Sequence, residues 1–273
     1  MFELKNTNMS LKEALDFVSD GETICLENKT YYEKIDLYKK NITLIGQENT
    51  KISYNAFSGM IIPKEFLGDG VLKYSTTTSS TFRVHKGADG FKAFGITFEN
   101  SYKRENNTDG QAVAFKSEAN DLMIDNCRFI GEQDTLYIDS GKNNKITSSY
   151  IEGDIDFIFG SADCTFNNCE IVGLNKEIVY FTAPSTYVDN KKGFHFKYCN
   201  FKTNAINSYL GRAWYPKGAK KEVYPKLILK KCKIEGNVVL DLIQMHENDP
   251  RKYELRINNS LLNNNEIDIN IIK

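Results

Sequence analysis

One short phrase returns along this chain and limits the folds open to it more than any other feature. It reads apolar-x-x-small-x-apolar, first clearly as Ile124-Asp125-Asn126-Cys127-Arg128-Phe129. It recurs at positions 146–151, 166–171, 196–201, 229–234 and 257–262, with a looser copy at 93–98. The copies align on Ile96, Cys127, Ser149, Cys169, Cys199, Cys232 and Ser260. They stand closest together from Cys127 through Ser149 to Cys169 and farther apart elsewhere. Self-similarity at periods of about 20–50 residues marks a solenoid, in which each repeat buries its apolar face against its neighbours. The shortest spacings read as a bare coil, and the longer ones as the same coil with loops inserted.

Alternating apolar residues and Asn-rich, Gly-punctuated turns favour strands over helices. Proline is scarce, 5 residues in 273, as a sheet-based solenoid requires, because proline removes a ladder hydrogen bond. The leucine spacing of leucine-rich repeats is absent. The expected fold is therefore all-β, a parallel β-helix with coils stacked about 4.8 Å apart. Like residues then stack in register, which reads Cys127, Cys169, Cys199 and Cys232 as a ladder of small core side chains. The six cysteines permit disulfides, but their recurrence at one repeat position favours core thiols. None forms a C-x-x-C pair, so no zinc site of that spacing is expected.

Ser10-Leu11-Lys12-Glu13 is a capping-box sequence, and Leu11, Ala14, Leu15 and Val18 follow at helical spacing. Residues 1–20 are thus expected to form an N-terminal cap with a short amphipathic helix over the open end of the solenoid. No linker-like shift in composition divides residues 1–273, which are read as one domain. Formal net charge is −1, which excludes a strong electrostatic footprint for nucleic acid. No apolar run is long enough to cross a bilayer as a helix. Met1-Phe2-Glu3-Leu4-Lys5-Asn6 lacks the layout of a signal peptide. The expectation is a cytoplasmic monomer if residues 1–273 are the whole protein, and a secreted one if a leader has been removed.

Four phrases carry candidate chemistry: Gly110-Gln111-Ala112-Val113-Ala114, Gln133-Asp134-Thr135-Leu136-Tyr137, Asp156-Phe157-Ile158-Phe159-Gly160 and Leu210-Gly211-Arg212-Ala213-Trp214. Gln111 stands as far from Gln133 as Asp134 does from Asp156, and that shared separation is one short coil. Neighbouring coils would bring these residues onto one face. Asp156 lies in the run Ile155-Asp156-Phe157-Ile158-Phe159, which reads as a strand. A carboxylate there needs a partner, and the fork of Arg212 is suited to the task. Taken one at a time, each residue has a plainer reading: Asp156 or Asp134 in an ordinary turn, Gln111 in a polar ladder, Trp214 and Phe159 in the core. His246, close to Asp249, has no supporting pattern and is assigned no role.

Together and in this order, the four phrases resemble the hallmarks of the pectin methylesterases, carbohydrate esterase family 8. Thr78-Ser79-Ser80-Thr81-Phe82, Gly90-Phe91 with Ile96-Thr97-Phe98-Glu99-Asn100, and Thr182-Ala183-Pro184-Ser185-Thr186 match too, the last resembling bacterial members more than plant ones. The resemblance covers residues 10 to 232. It implies a right-handed parallel β-helix, no cofactor or metal, and pectin or a methylated oligogalacturonide as substrate. It further implies Asp156 as nucleophile toward the C6 methyl ester, Asp134 as acid then base, Gln111 and Gln133 as holders of the tetrahedral intermediate, and Arg212 as the residue orienting Asp156. Trp214, Phe159 and Tyr137 match aromatic positions lining the sugar cleft. Residues 235–273 depart from the family pattern and form a divergent C-terminal part. Two other readings stay open at this stage: a non-catalytic carbohydrate-binding β-helix, and a pectin-cleaving glycosidase, whose carboxylate pair would protonate a glycosidic bond.

Overall fold

A computed structural model describes residues 1–63, 72–104, 110–219 and 221–273 of the chain. It is a parallel β-helix. The strands Ile35–Leu37, Phe82–Val84, Phe115–Ser117, Leu136–Ile138, Ile158–Gly160, Ile178–Pro184, Asn207–Ala213 and Val238–Gln244 lie side by side in that order as a front sheet. Every pairing within it is parallel. Between consecutive front strands the chain adds strands to a second sheet; between Leu136–Ile138 and Ile158–Gly160 these are Asn144–Thr147 and Tyr150–Gly153. Leu136 pairs with Phe115 on one side and Ile158 on the other, so the bare coil carries the chain from each of these to the next.

The recurring phrase is the corner between the two second-sheet strands of a coil. Gly95, Asn126, Ser148, Asn168, Tyr198, Lys231 and Asn259 all occupy the left-handed region, with φ from 46° to 63°. That conformation turns the chain within one residue, so the next residue points inward. Its N–H is then buried at a bend and needs an acceptor. The small side chain of the following coil supplies it. The Ile96 N–H donates to Cys127 Sγ at 3.5 Å, Cys127 N–H to Ser149 Oγ at 3.1 Å, Cys169 N–H to Cys199 Sγ at 3.5 Å, and Cys232 N–H to Ser260 Oγ at 3.1 Å. Cysteine and serine are interchangeable here because each offers an acceptor in little volume. All six cysteines are thiols.

Inside the coils, aromatic side chains stack along the same axis. Phe82 lies parallel to Phe115 at 5.8 Å, Phe98 to Phe129 at 5.7 Å, and Phe166 to Phe196 at 4.3 Å. The N-terminal helix, Leu11–Phe17, buries Leu11, Ala14 and Leu15. Its capping box is present: Glu13 N–H donates to Ser10 Oγ at 3.1 Å and Ser10 N–H to Glu13 Oε2 at 2.7 Å. The divergent C-terminal part continues the same winding. Val238–Gln244 extends the front sheet, Glu254–Leu262 extends the second sheet, and Asn265–Ile272 folds back antiparallel on Glu254–Leu262.

The ladder makes a prediction about stability. Cys199→Ser keeps acceptor and volume and is expected to change unfolding free energy by less than about 1 kcal/mol. Cys199→Leu removes the acceptor for the Cys169 N–H and overfills the corner, and is expected to cost about 2–4 kcal/mol. Chemical denaturation of the two variants measures both values; equal losses would contradict an acceptor role for the thiol.

Candidate active site

Along the front sheet every second side chain faces outward. One outward row runs Lys116, Tyr137, Phe159 and Ala183 through successive registers. Tyr137 and Phe159 stack at 4.0 Å and 17°, and Trp214 leans on both, at 6.2 and 5.7 Å. These rings form an aromatic shelf. The Tyr137 hydroxyl donates to Asp139 at 3.0 Å; Lys116 Nζ lies 2.9 Å from Asp139, 3.0 Å from Thr77 Oγ1 and 4.4 Å from the Tyr137 ring centroid.

Asp134 and Asp156 stand just ahead of the strands Leu136–Ile138 and Ile158–Gly160, at φ values of 64° and 50°. The sequence reading puts Asp156 inside a strand. The structure corrects this: Asp156 lies in a left-handed bend, and the strand begins at Ile158. The bend sends the carboxylate to the cleft while Phe157 and Ile158 enter the core. Left-handed backbone costs an L-residue about 1–2 kcal/mol, least for Gly, Asn and Asp, and two acids sharing it in adjacent coils is the kind of local strain found at functional sites. The coils are tied here by the Asp134 N–H donating to the Ile155 carbonyl at 3.0 Å.

A cleft of about 430 Å³ collects Gln111, Gln133, Asp134, Tyr137, Asp156, Phe159, Arg212 and Trp214, all the residues named from sequence. Arg212 grips Asp156 with both arms of its fork: Nε donates to Oδ1 at 2.9 Å and Nη2 to Oδ2. The guanidinium also lies 4.5 Å above the Tyr180 ring, which stacks on Tyr209. Gln133 is nearly buried, and its Oε1 accepts from Arg104 Nη1 at 3.2 Å. A larger groove of about 660 Å³ runs over the corner row of the second sheet. Its charged side chains Glu48, Arg128 and Glu170 are partly or fully exposed; it brings together no buried acid pair, so the smaller cleft is the candidate site.

Burial raises both carboxyls above their ordinary value. Asp134 is pushed well above the carboxylate range, by burial first and then by the charge of Asp156. Asp156 is raised by burial, against the hydrogen bonds and charge of Arg212. Arg212 favours the charged form of Asp156, but desolvation outweighs it and the net direction is upward. Arg212 makes the two acids unlike: its hydrogen bonds and charge oppose the rise at Asp156, while at Asp134 the charge of Asp156 adds to it.

The cleft also holds residues to which the sequence assigned no role in the site: Thr76, Thr77, Ala183, Met245 and His246. Thr76 and Thr77 immediately precede the Thr78-Ser79-Ser80-Thr81-Phe82 phrase. Met245 and His246 follow the strand Val238–Gln244, where Ile243 pairs with Arg212. Counting one further coil from Arg212 is the signal that could have found them. Asp249 holds that loop by accepting from the His246 N–H at 2.7 Å.

Residues 3–240 match the family model described as Pectinesterase. A probable pectinesterase A of Aspergillus fumigatus is 32% identical over 197 residues, covering 68% of this chain and 56% of that protein. The chain spans 56% to 63% of the length of the curated fungal relatives that it matches. Among solved structures, a pectin methylesterase from Erwinia chrysanthemi superposes with a TM-score of 0.79 at 21% identity, over 97% of this chain and 90% of that one. A pectin methylesterase in complex with a hexasaccharide superposes with a TM-score of 0.72 at 23% identity, over 86% and 78%.

The electrostatic arrangement is open to direct titration. Asp156→Asn removes the negative charge beside Asp134 and is expected to lower the Asp134 midpoint. Arg212→Met is expected to raise that of Asp156. Carboxyl ¹³C shifts followed against pH report both; an Asp134 midpoint that rises or stays put in Asp156→Asn would show that the two acids do not sense each other.

Proposed function

Since this chain belongs to the pectinesterase family, we propose that it hydrolyses C6 methyl esters of galacturonosyl units in pectin or methylated oligogalacturonides. The observation that carries this reading is the two-armed Arg212–Asp156 pair beside the buried Asp134, whose carboxyl burial and the charge of Asp156 push well above the ordinary range. An ester hydrolase working through carboxylates needs one ionised and one protonated at the same pH. The Asp156 carboxylate attacks the ester carbonyl carbon, and the oxyanion that forms is held by the side-chain amides of Gln111 and Gln133. The intermediate collapses to an acyl-aspartyl anhydride as the C–OCH₃ bond breaks, and Asp134 gives its proton to departing methanol. Asp134, now a carboxylate, takes a proton from water, whose oxygen attacks the C6 carbonyl. The Asp156 carboxylate leaves, and the product is a free galacturonate carboxyl.

The aromatic shelf of Tyr137, Phe159 and Trp214 suits the apolar faces of sugar rings. The solved relative carrying a hexasaccharide supports an oligosaccharide ligand for this cleft.

Methanol release from methylated pectin without new reducing ends is the expected result. Reducing ends would indicate a glycosidase, and neither product a binding module. Gln133→Ala is expected to lower kcat by about 10²–10³-fold, and Asp156→Asn to abolish turnover with the fold intact; near-normal turnover in the latter removes Asp156 from the nucleophile's place.

The pH dependence follows from which form of each acid is needed. Asp156 must be ionised, so kcat/KM falls as pH drops through its value, which burial places above that of an ordinary aspartate. Asp134 must be protonated, so kcat/KM falls again as pH rises through its higher value. The profile is expected to be a bell whose acid limb moves to higher pH in Arg212→Lys. An acid limb unmoved by that change would mean that another group controls it.

A further inference from the structure

We propose that Arg104 is a positioning residue that sets the orientation of the Gln133 amide; this rests on the esterase reading above. Arg104 lies in the loop after the strand Thr97–Asn100, outside all four sequence phrases. Its side chain is only 14% exposed. Nη1 donates to Gln133 Oε1 at 3.2 Å, and Nη2 lies 2.5 Å from Asp154 Oδ2. The Arg104 backbone N–H donates to Glu132 Oε2 at 3.0 Å. Glu132 and Asp154 are both buried, and each stands just ahead of one of the acids, Asp134 or Asp156. One arginine thus ties together the two coils that carry the reacting carboxyls.

The consequence for Gln133 is chemical. A primary amide has nearly the same shape in its two flipped orientations, but opposite polarity. With the carbonyl turned toward the cleft it would repel an oxyanion; with the NH₂ turned there it stabilises one. A guanidinium has donors and no acceptor, so it accepts only Oε1 as a neighbour and excludes the flipped amide. Both Nε2 protons are left for the cleft. The charge on Oε1 also polarises the amide and strengthens Nε2–H as a donor. At Asp134 the charges of Asp154 and Arg104 oppose each other, so the arrangement acts on Gln133 more than on the ionisation of that acid. Among the described residues, Arg104 Nε is buried without a hydrogen-bond partner. A buried donor left in that state is destabilising, so stability alone does not favour this placement.

The test is a double-mutant cycle in the full chain, with methanol release as the rate. Arg104→Lys keeps a cation for Asp154 but loses the fork. It is expected to lower kcat about tenfold or more, with KM changed less than about threefold, the pattern of a lost transition-state interaction. In a Gln133→Ala background the same change is expected to have no further effect on kcat. Losses that multiply would mean that Arg104 acts elsewhere, and would overturn the proposal. Should Arg104→Lys fail to fold, Arg104→Gln combined with Asp154→Asn replaces the buried ion pair with a neutral hydrogen bond and enters the same cycle. The Gln133 side-chain amide resonances provide a second readout without substrate. They are expected to move toward those of a solvated glutamine in Arg104→Lys, and unmoved resonances would equally overturn the proposal. If the native chain released no methanol from any ester, the esterase reading would fall, while the amide resonances would still decide whether Arg104 holds Gln133.

Discussion

Hydrogen bonding between successive parallel coils is the constraint on which the rest of this structure depends. Strands bonded in parallel register leave each residue directly above its counterpart one coil earlier, about 4.8 Å away. The phenyl stacks, the corner ladder from Ile96 to Ser260 and the outward row Lys116–Tyr137–Phe159–Ala183 are all consequences of that register. So is the approach of Asp134 to Asp156. A slip of one residue would exchange inward and outward side chains along a strand. The corners prevent it, because only the residue after the left-handed turn presents an N–H to the small acceptor of the next coil.

Within that frame the two acids begin as near equivalents: adjacent coils, the same left-handed bend, similar burial. Nothing in the fold's symmetry gives them different tasks. The asymmetry comes from further along the front sheet, where Arg212 reaches back and takes both oxygens of Asp156. Removing one partner of such a buried pair costs about 3–5 kcal/mol, while an apolar replacement of both is often neutral or better. The pair is therefore better understood as dividing the acids' labour than as holding the helix together. Arg104 makes a parallel contribution one coil away, through an amide rather than a carboxylate.

Much of this was legible in the chain. A phrase that returns after one bare coil or one coil with a loop, small residues at one position of it and a capping box before an amphipathic stretch each have one physical interpretation, and the coils, the ladder and the helix Leu11–Phe17 follow. The residues of the four phrases that were assigned chemistry all line the cleft: regular offsets in a solenoid translate directly into proximity for Gln111, Gln133, Asp134 and Asp156, and the family resemblance supplied the rest. Asp156 was misread locally for an equally physical reason. An apolar run such as Ile155 to Phe159 carries the signal of a strand, and a single left-handed residue inside it leaves no mark on hydrophobic pattern. Arg104 was missed because it sits in a loop, whose position depends on what it packs against rather than on period, and Met245 and His246 because no phrase marks the coil that follows Arg212.

By itself, then, the sequence determined the winding of the chain and the face that would carry two carboxyls and two amides, because periodicity acts through short-range register; the arginine and the three aromatic rings were assigned to that face by the resemblance to the family. Only the tertiary structure decided how those groups differ from one another. Burial outweighs Arg212 at Asp156 and leaves Asp134 higher still, and the Gln133 amide is held from a loop 29 residues away in sequence. Desolvation and hydrogen-bond direction depend on everything that surrounds a group, and that is set only when distant parts of the chain have packed together.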